Sequence, residues 1–292
     1  MSNKCLSLAL HGGAGAKPGR SYDREIAHMK GLVEEARDAL RAGATALDVA
    51  TRTVVALEAS GLYVAGRGAS PNLAGEYELD ACIMDGLSGK AGSVAALQGF
   101  KSPITAARAV MERTPHIMLA GSGAGLFATE QGLEAIDDPK AWFTHAGQFE
   151  ANHAPGALAH GTVGCVVRDG EGRLAAATST AGVFNKMPGR VGDSPIPAAG
   201  AWADGNVAVS CTGQGEYFIR LAAAAQIGFR MRFAGQSLEE ASKAVISELA
   251  ALGGDGGLIA VGADGSVATP FHSQGLKRAT LTPDGTISAA AF

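Results

Sequence analysis

Three segments in the second half of the chain carry residue types that do chemistry. In Gly161-Thr162-Val163-Gly164 a threonine opens an apolar, strand-like run directly after a long irregular stretch. Its hydroxyl is a latent nucleophile, and threonine is equally a good strand former, so residue type alone leaves both uses open. Farther on, Thr178-Ser179-Thr180-Ala181-Gly182 leads into Asn185-Lys186-Met187-Pro188-Gly189-Arg190-Val191-Gly192-Asp193-Ser194-Pro195. Arg190 and Asp193 stand three apart in a loop held by glycines and prolines. A guanidinium fork suits a carboxylate and a carboxylate suits an ammonium, so the pair could grip both ends of an amino-acid zwitterion. The same spacing serves a local ion pair that pins the loop. Last, Thr212-Gly213-Gln214-Gly215-Glu216 joins a strand to a helix. Backbone N–H groups at such a turn, with the positive helix end behind them, make a ready oxyanion site. An ordinary glycine turn reads the same way.

Other chemistries find less support. Residues 116–120 followed by Gly121-Ser122-Gly123-Ala124-Gly125 imitate a dinucleotide fingerprint, but the third glycine is one position early and no acid-tipped strand follows. The chain has no GxSxG elbow, HExxH or P-loop. Its seven histidines do not cluster at metal-ligand spacing, and those at 145, 153 and 160 read as exposed loop residues. Acidic residues fall mainly on helix faces and in turns, where solvation is the expectation. Cys5, Cys82, Cys165 and Cys211 are far apart in apolar settings without a CxxC, which reads as small buried thiols in a reducing cytoplasm.

The elements that must position these residues alternate between short strands and longer helices. Strands are expected at 6–10, 78–84, 92–97, 162–168, 173–179, 207–210, 258–262, 266–269, 280–282 and 287–290. Helices are expected at 23–42, 45–59, 104–113, 125–136, 216–229 and 238–252. Residues 138–161 keep no period and read as a long functional connection. Hairpins mixed with paired helices favour an antiparallel or mixed sheet layered with helices over a parallel array.

Composition sets the bounds. The chain has 292 residues, 47% of them hydrophobic and 18% charged, which excludes a disordered polymer. Its 41 glycines lack a three-residue period, so they mark tight turns and close backbone approaches instead. The net charge of −4 comes without a basic run, which argues against a nucleic-acid partner. No apolar run approaches a bilayer-spanning length, and the short one near the N-terminus is interrupted by His11-Gly12-Gly13, so no membrane partner is expected.

Taken together, the chain closely resembles the plant-type asparaginases, also called isoaspartyl peptidases, of the N-terminal-nucleophile hydrolase superfamily. The resemblance runs through His11-Gly12-Gly13-Ala14-Gly15, Glu78-Leu79-Asp80-Ala81 with Met84-Asp85-Gly86, Gly161-Thr162-Val163-Gly164, and 178–195. It continues through 210–216 and 252–259. It implies a single 1–292 domain of α+β class, an αββα four-layer sandwich with two central sheets between helix layers. It implies self-cleavage between Gly161 and Thr162, giving an α piece of 1–161 and a β piece of 162–292, with 138–161 as processing linker. The implied assembly is a dimer of αβ units.

The same resemblance assigns roles. Thr162 is the nucleophile and Thr180 its hydrogen-bond partner; Thr212 and the Gly213 N–H form the oxyanion hole. Arg190 holds the substrate α-carboxylate, and Asp193 with the Gly215 backbone holds its α-ammonium. The implied substrates are small: asparagine or a short β-aspartyl peptide. Catalysis needs no cofactor, and a structural sodium would sit on the backbone carbonyls of Leu57, Glu58, Ser60, Tyr63, Ala65 and Arg67. The chemistry is self-consistent, because an internal Thr162 has only a non-basic amide nitrogen. A freed α-amine, with a reference pKa of roughly 7.7–8.0, can act as base for its own hydroxyl. Val64 stands where the family usually has asparagine, Ala181 where glycine is common, and the 66–72 run is unlike the better-known members. Two alternatives stay open on these residues: an amidase for glycosylated asparagine, and a processing-deficient homologue that binds an amino acid.

Overall fold

In a computed structural model, the residues described are 5–146 and 161–292. His153, His160 and most of the 138–161 linker lie outside them. Strand β1 (Ser7–Ala14) runs between β11 (Leu276–Leu281) and β5 (Val163–Arg168) in an eight-stranded sheet. Beyond β11 lies β12 (Ile287–Ala290). Beyond β5 come β6 (Leu174–Thr180), β2 (Leu79–Asp85), β3 (Ala91–Leu97) and β4 (Met118–Ala120). Among the described residues of this sheet, the β3–β4 pair alone is parallel. A second, four-stranded antiparallel sheet has the order β10 (Val267–Ala268), β9 (Gly256–Gly262), β8 (Val207–Gly213), β7 (Ala201–Ala203).

The two sheets stack on each other, and helices cover their outer faces. The period of two along a strand divides its side chains between these layers. In β1, Leu8 and Leu10 face helices while Ala9 faces the second sheet. In β5, Val163, Cys165 and Val167 face helices while Val166 faces the second sheet. Alanines dominate the inter-sheet layer (Ala9, Ala176, Ala201, Ala203, Ala208), so the sheets approach closely. With both faces buried, the strands read as continuous apolar runs rather than alternating ones.

Helices α1 (Asp23–Arg41), α2 (Ala46–Ala59) and α3 (Pro103–Arg113) cover the large sheet. Two shorter helices, α4 (Gly121–Glu130) and α5 (Pro139–Trp142), follow. Helix α6 (Gly215–Leu221) leads into α7 (Ala223–Ala234) and α8 (Leu238–Ala251), which cover the small sheet. Starts follow local chemistry: Thr45 accepts from the Asp48 N–H ahead of α2, and Ser237 with Glu240 closes a capping box on α8. Among the described residues no helix is long and apolar enough to cross a membrane. All four cysteines are free; Cys82, Cys165 and Cys211 are buried and Cys5 is partly exposed.

Several boundaries differ from the sequence expectation, each for a tertiary reason. Strand β1 continues through His11-Gly12-Gly13 because β5 and β11 supply partners on both sides, and the Tyr63 ring lies where a Gly12 side chain would go. Helix α4 begins at Gly121 and stops before Gly132 (φ 66), after which Ile136 donates to the Gly99 carbonyl. The expected 216–229 helix breaks at Ala222 (φ 47), because the Ala224 and Ala225 N–H groups bond the carbonyls of Ala199 and Ala198 instead of their own helix. Strand β8 runs to Gly213 and β11 starts at Leu276, each longer than its apolar core. The 138–161 stretch holds the short helix α5.

Candidate active site

Thr162 stands one residue ahead of β5 and is 5% exposed. Its Oγ1 donates to Thr180 Oγ1 at 3.2 Å. Thr180 closes β6, the strand paired with β5, so sheet register brings the two hydroxyls together. Thr180 Oγ1 in turn donates to the Gly161 carbonyl at 2.6 Å and accepts the Gly182 N–H at 2.9 Å. Both acceptor sites and the donor of this hydroxyl are thus used. The arrangement links a hydroxyl to the carbonyl of the peptide bond directly before it.

Beneath Thr162 the two sheets are tied by a buried polar chain. His11 Nδ1 lies 3.1 Å from the Thr162 carbonyl and Nε2 lies 2.9 Å from Ser210 Oγ. Burial pushes the imidazole pKa down to about 3, so the ring is neutral. A carbonyl only accepts, so Nδ1 carries the proton and Nε2 accepts from Ser210. Ser210 Oγ is 2.7 Å from Thr178 Oγ1, which completes the run. Sequence reasoning gave His11, Ser210 and Thr178 no role, although all three lie in segments that carry the family resemblance and are polar side chains inside otherwise apolar strands.

The oxyanion candidates reach the same place through β1. Ala14 N–H donates to Thr212 Oγ1 at 3.1 Å, which leaves the Thr212 O–H free to donate elsewhere. A side chain on Gly13 would come within 3.3 Å of Gly161 Cα and Thr162 N. At Gly213 a side chain would meet the Phe218 ring and the Asp255 carbonyl, so only glycine fits.

Arg190 and Asp193 do not bond each other. Arg190 Nε and Nη2 donate to Glu216 at 3.0 and 3.1 Å, so the local ion pair that the spacing allowed goes to another element. Its Nη1 would lie 3.4 Å from a side chain on Gly182 and 2.9 Å from one on Gly192. Asp193 is 3% exposed, and its Oδ2 has no hydrogen-bond partner among the described residues. Burial pushes its carboxyl pKa up to about 7, Glu216 and Asp80 add to the rise, and Arg190 opposes it. A β-carbon on Gly215 would sit 2.8 Å from Asp193 Oδ1 and N, so the Gly215 backbone packs directly on this acid.

Acidic residues also depart from the solvated expectation. Glu58, Glu78, Asp80 and Asp169 are buried along with Asp193. Glu58 braces the start of α3 through Ser102 and the Ile104 N–H, and burial raises its pKa to about 7. His145 is partly buried, with Nε2 3.0 Å from the Tyr77 hydroxyl. No group of three or more His, Cys, Asp or Glu among the described residues could hold a metal ion. Across 57–67, which begins in the last turn of α2, the Leu57 carbonyl accepts from Ser60 Oγ, Tyr63 from the Ala65 N–H, and Arg67 from both the Thr144 N–H and the Thr144 hydroxyl. A carbonyl oxygen has two lone pairs, so Leu57 and Tyr63 each retain one for a hard cation, whereas the Arg67 oxygen has both engaged.

Direct bonds thus join Thr162, Thr180 and Gly161; Thr212 approaches them through the Ala14 N–H of β1, Arg190 through Gly182, and Gly215 packs on Asp193. A family model described as "Asparaginase" matches residues 4–290. The chain is 47% identical to the "Isoaspartyl peptidase" of Salmonella typhimurium, covering 95% of each chain. It is 45% identical to the "Isoaspartyl peptidase" of Escherichia coli, over 93% of this chain and 91% of the relative. It is 40% identical to the "Plant-type L-asparaginase" of Pyrobaculum calidifontis, over 93% and 95%.

Proposed function

Because the chain belongs to the asparaginase family, we propose that it is a self-processing threonine hydrolase of β-aspartyl peptides and of the asparagine side-chain amide. The observation that carries this reading is the Thr162–Thr180–Gly161 run, in which Thr180 accepts from the nucleophile and donates to the neighbouring carbonyl. In the first turnover Thr162 Oγ attacks the Gly161 carbonyl carbon, and Thr180 polarises the oxygen. The acyl group passes from nitrogen to oxygen as the hydroxyl proton moves to the departing nitrogen, which frees the α-amine of Thr162; water then cleaves the ester, giving the Gly161 carboxylate and restoring the Thr162 hydroxyl.

That amine then takes the hydroxyl proton as Thr162 attacks the β-carbonyl of substrate. Arg190 grips the α-carboxylate, while Asp193 and the Gly215 backbone receive the α-ammonium. Thr212 O–H and the Gly213 N–H stabilise the oxyanion; losing one such donor typically costs roughly 10²–10³ in rate. Ammonia or an amine leaves with the proton, and water clears the β-aspartyl ester. The reading carries with it an N-terminal-nucleophile hydrolase fold, α and β pieces of 1–161 and 162–292, and a dimer of αβ units. A sodium on the Leu57, Glu58, Ser60, Tyr63, Ala65 and Arg67 carbonyls would brace its loop and take no part in the steps.

N-terminal sequencing and intact mass of the purified protein test the cleavage. The reading expects a new terminus at Thr162. An uncut chain that turns over isoaspartyl dipeptides would overturn the mechanism. Relative kcat/KM on isoaspartyl dipeptides, asparagine and glycosylasparagine then sets the substrate order.

A further inference from the structure

The loop that carries Arg190 and Asp193 is anchored by a buried ion pair outside the machinery above. Lys186 and Glu78 are 3% and 5% exposed. Lys186 Nζ donates to the Glu78 backbone carbonyl at 2.9 Å and lies 3.7 Å from Glu78 Oε2. The other carboxylate oxygen, Oε1, accepts the Gly189 N–H at 2.8 Å, one residue before Arg190. The Lys186 carbonyl accepts the Leu73 N–H at 2.9 Å, and the Arg190 N–H bonds the Met187 carbonyl at 3.0 Å. The loop is thus stitched at Lys186 and at Gly189 to the segment entering β2. Asn185 (φ 57) and Gly189 (φ 77) take the left-handed conformation at the bends on either side.

The lysine also approaches the reacting end. A β-carbon on Gly182 would fall 2.9 Å from Lys186 Cδ, 3.2 Å from its Nζ and 3.4 Å from Arg190 Nη1. Gly182 is the residue whose N–H bonds Thr180. Asp80, fully buried, attracts both Lys186 and Arg190 and takes the Ala96 N–H at 2.7 Å. Burying an ammonium is costly unless charge and hydrogen bonds answer it, so this pair has to be held closely. A mere spacer would be met more cheaply by an apolar side chain.

We propose that Lys186, through Glu78 and the Gly189 N–H, is a positioning residue that sets the placement of Arg190 and Asp193 for substrate capture. It touches no substrate. The proposal rests on the reading of Arg190 and Asp193 as the grips for the α-carboxylate and α-ammonium. On the proposed cleavage Glu78 falls in the α piece and Lys186 in the β piece, so the pin joins the capture loop to the other piece.

The test compares wild type with Lys186→Met, Glu78→Gln and the double variant, using the processed protein and an isoaspartyl dipeptide. Lys186→Met alone leaves a buried carboxylate without its cation and is the variant at risk of misfolding. The double variant removes both charges and keeps an acceptor at the Gly189 N–H. For the folded double variant the expected result is a KM raised about tenfold or more, with kcat falling less than about threefold. The inhibition constant for L-aspartate should rise by the same factor as KM, a match that a purely structural role would not produce. Lys186→Arg should recover part of the loss in KM. An unchanged KM in the folded double variant, or a fall in kcat without a change in KM, would overturn the proposal. Wild type without dipeptide turnover would instead overturn the functional reading itself.

Discussion

A β-carbon on Gly161 would collide with Cβ and Cγ2 of Val64. The backbone of the proposed cleavage point therefore lies flat against this valine, whose carbonyl also accepts the Ala181 N–H at 3.0 Å. Gly161→Ala is expected to block self-cleavage and leave one uncut chain on denaturing electrophoresis. Adding Val64→Gly should restore part of the processing, because it removes the atoms in the way. Processing of Gly161→Ala at the wild-type rate would sink this account of the junction.

Thr162→Ala should abolish both cutting and turnover, since the variant has no hydroxyl to attack. Thr162→Ser keeps the hydroxyl and should cut and turn over at a reduced rate. Intact mass and dipeptide hydrolysis read the two outcomes separately. Turnover by the alanine variant would mean that another nucleophile operates.

Thr180→Val removes a hydroxyl at nearly constant shape. It takes away the donor to the Gly161 carbonyl and leaves the Gly182 N–H without its acceptor. Self-cleavage should slow by roughly 10²–10³, the usual effect of losing one preorganised donor to a developing oxyanion. A time course of fragment appearance measures it, and an unchanged rate would remove Thr180 from the mechanism.

Capture should depend on pH through Asp193. Its carboxyl, raised to about 7 by burial, must be ionised to pair with an ammonium. In the free enzyme kcat/KM should therefore climb as pH rises through about 7, together with deprotonation of the Thr162 amine, whose reference value is roughly 7.7–8.0. Asp193→Asn should lower kcat/KM and leave a limb that belongs to the amine alone. An acidic limb unchanged in midpoint and steepness in this variant would assign the whole limb elsewhere.

Stability should respond at Glu58. Its folded pKa is raised from 4.5 to about 7 by burial, so the fold favours the neutral acid. That contribution is fully present below the ordinary carboxyl value and is lost as pH rises through about 7, on the order of 3 kcal/mol in total. Glu58→Gln keeps an acceptor for the Ile104 N–H and should flatten the loss. Urea unfolding at a series of pH values checks it; an equally steep loss in the glutamine variant would place the effect on another group.

Much of the fold was legible because its signals are local. The period of Met29, Leu32, Val33, Ala36 and Leu40 marks α1, and Thr45 marks the start of α2, since both depend on neighbours within a few residues. The break at Ala222 was not legible, because its cause is a pair of carbonyls at 198 and 199 that take the next helix's N–H groups. Nor was the burial of Glu58, Glu78 and Asp80. A charged side chain looks alike in sequence whether water or a remote lysine answers it.

The sequence by itself determined which groups are available: a threonine after a glycine, an Arg–Asp loop, a glycine turn between strand and helix, and the family pattern that joins them. Tertiary structure decided how they meet. The β5–β6 register sets Thr162 against Thr180, the β1 backbone reaches Thr212, and Glu216 takes the outer edge of Arg190. Covalent order states what a side chain is, whereas hydrogen bonds between residues far apart in the chain exist only once the burial of two sheets has fixed their distance.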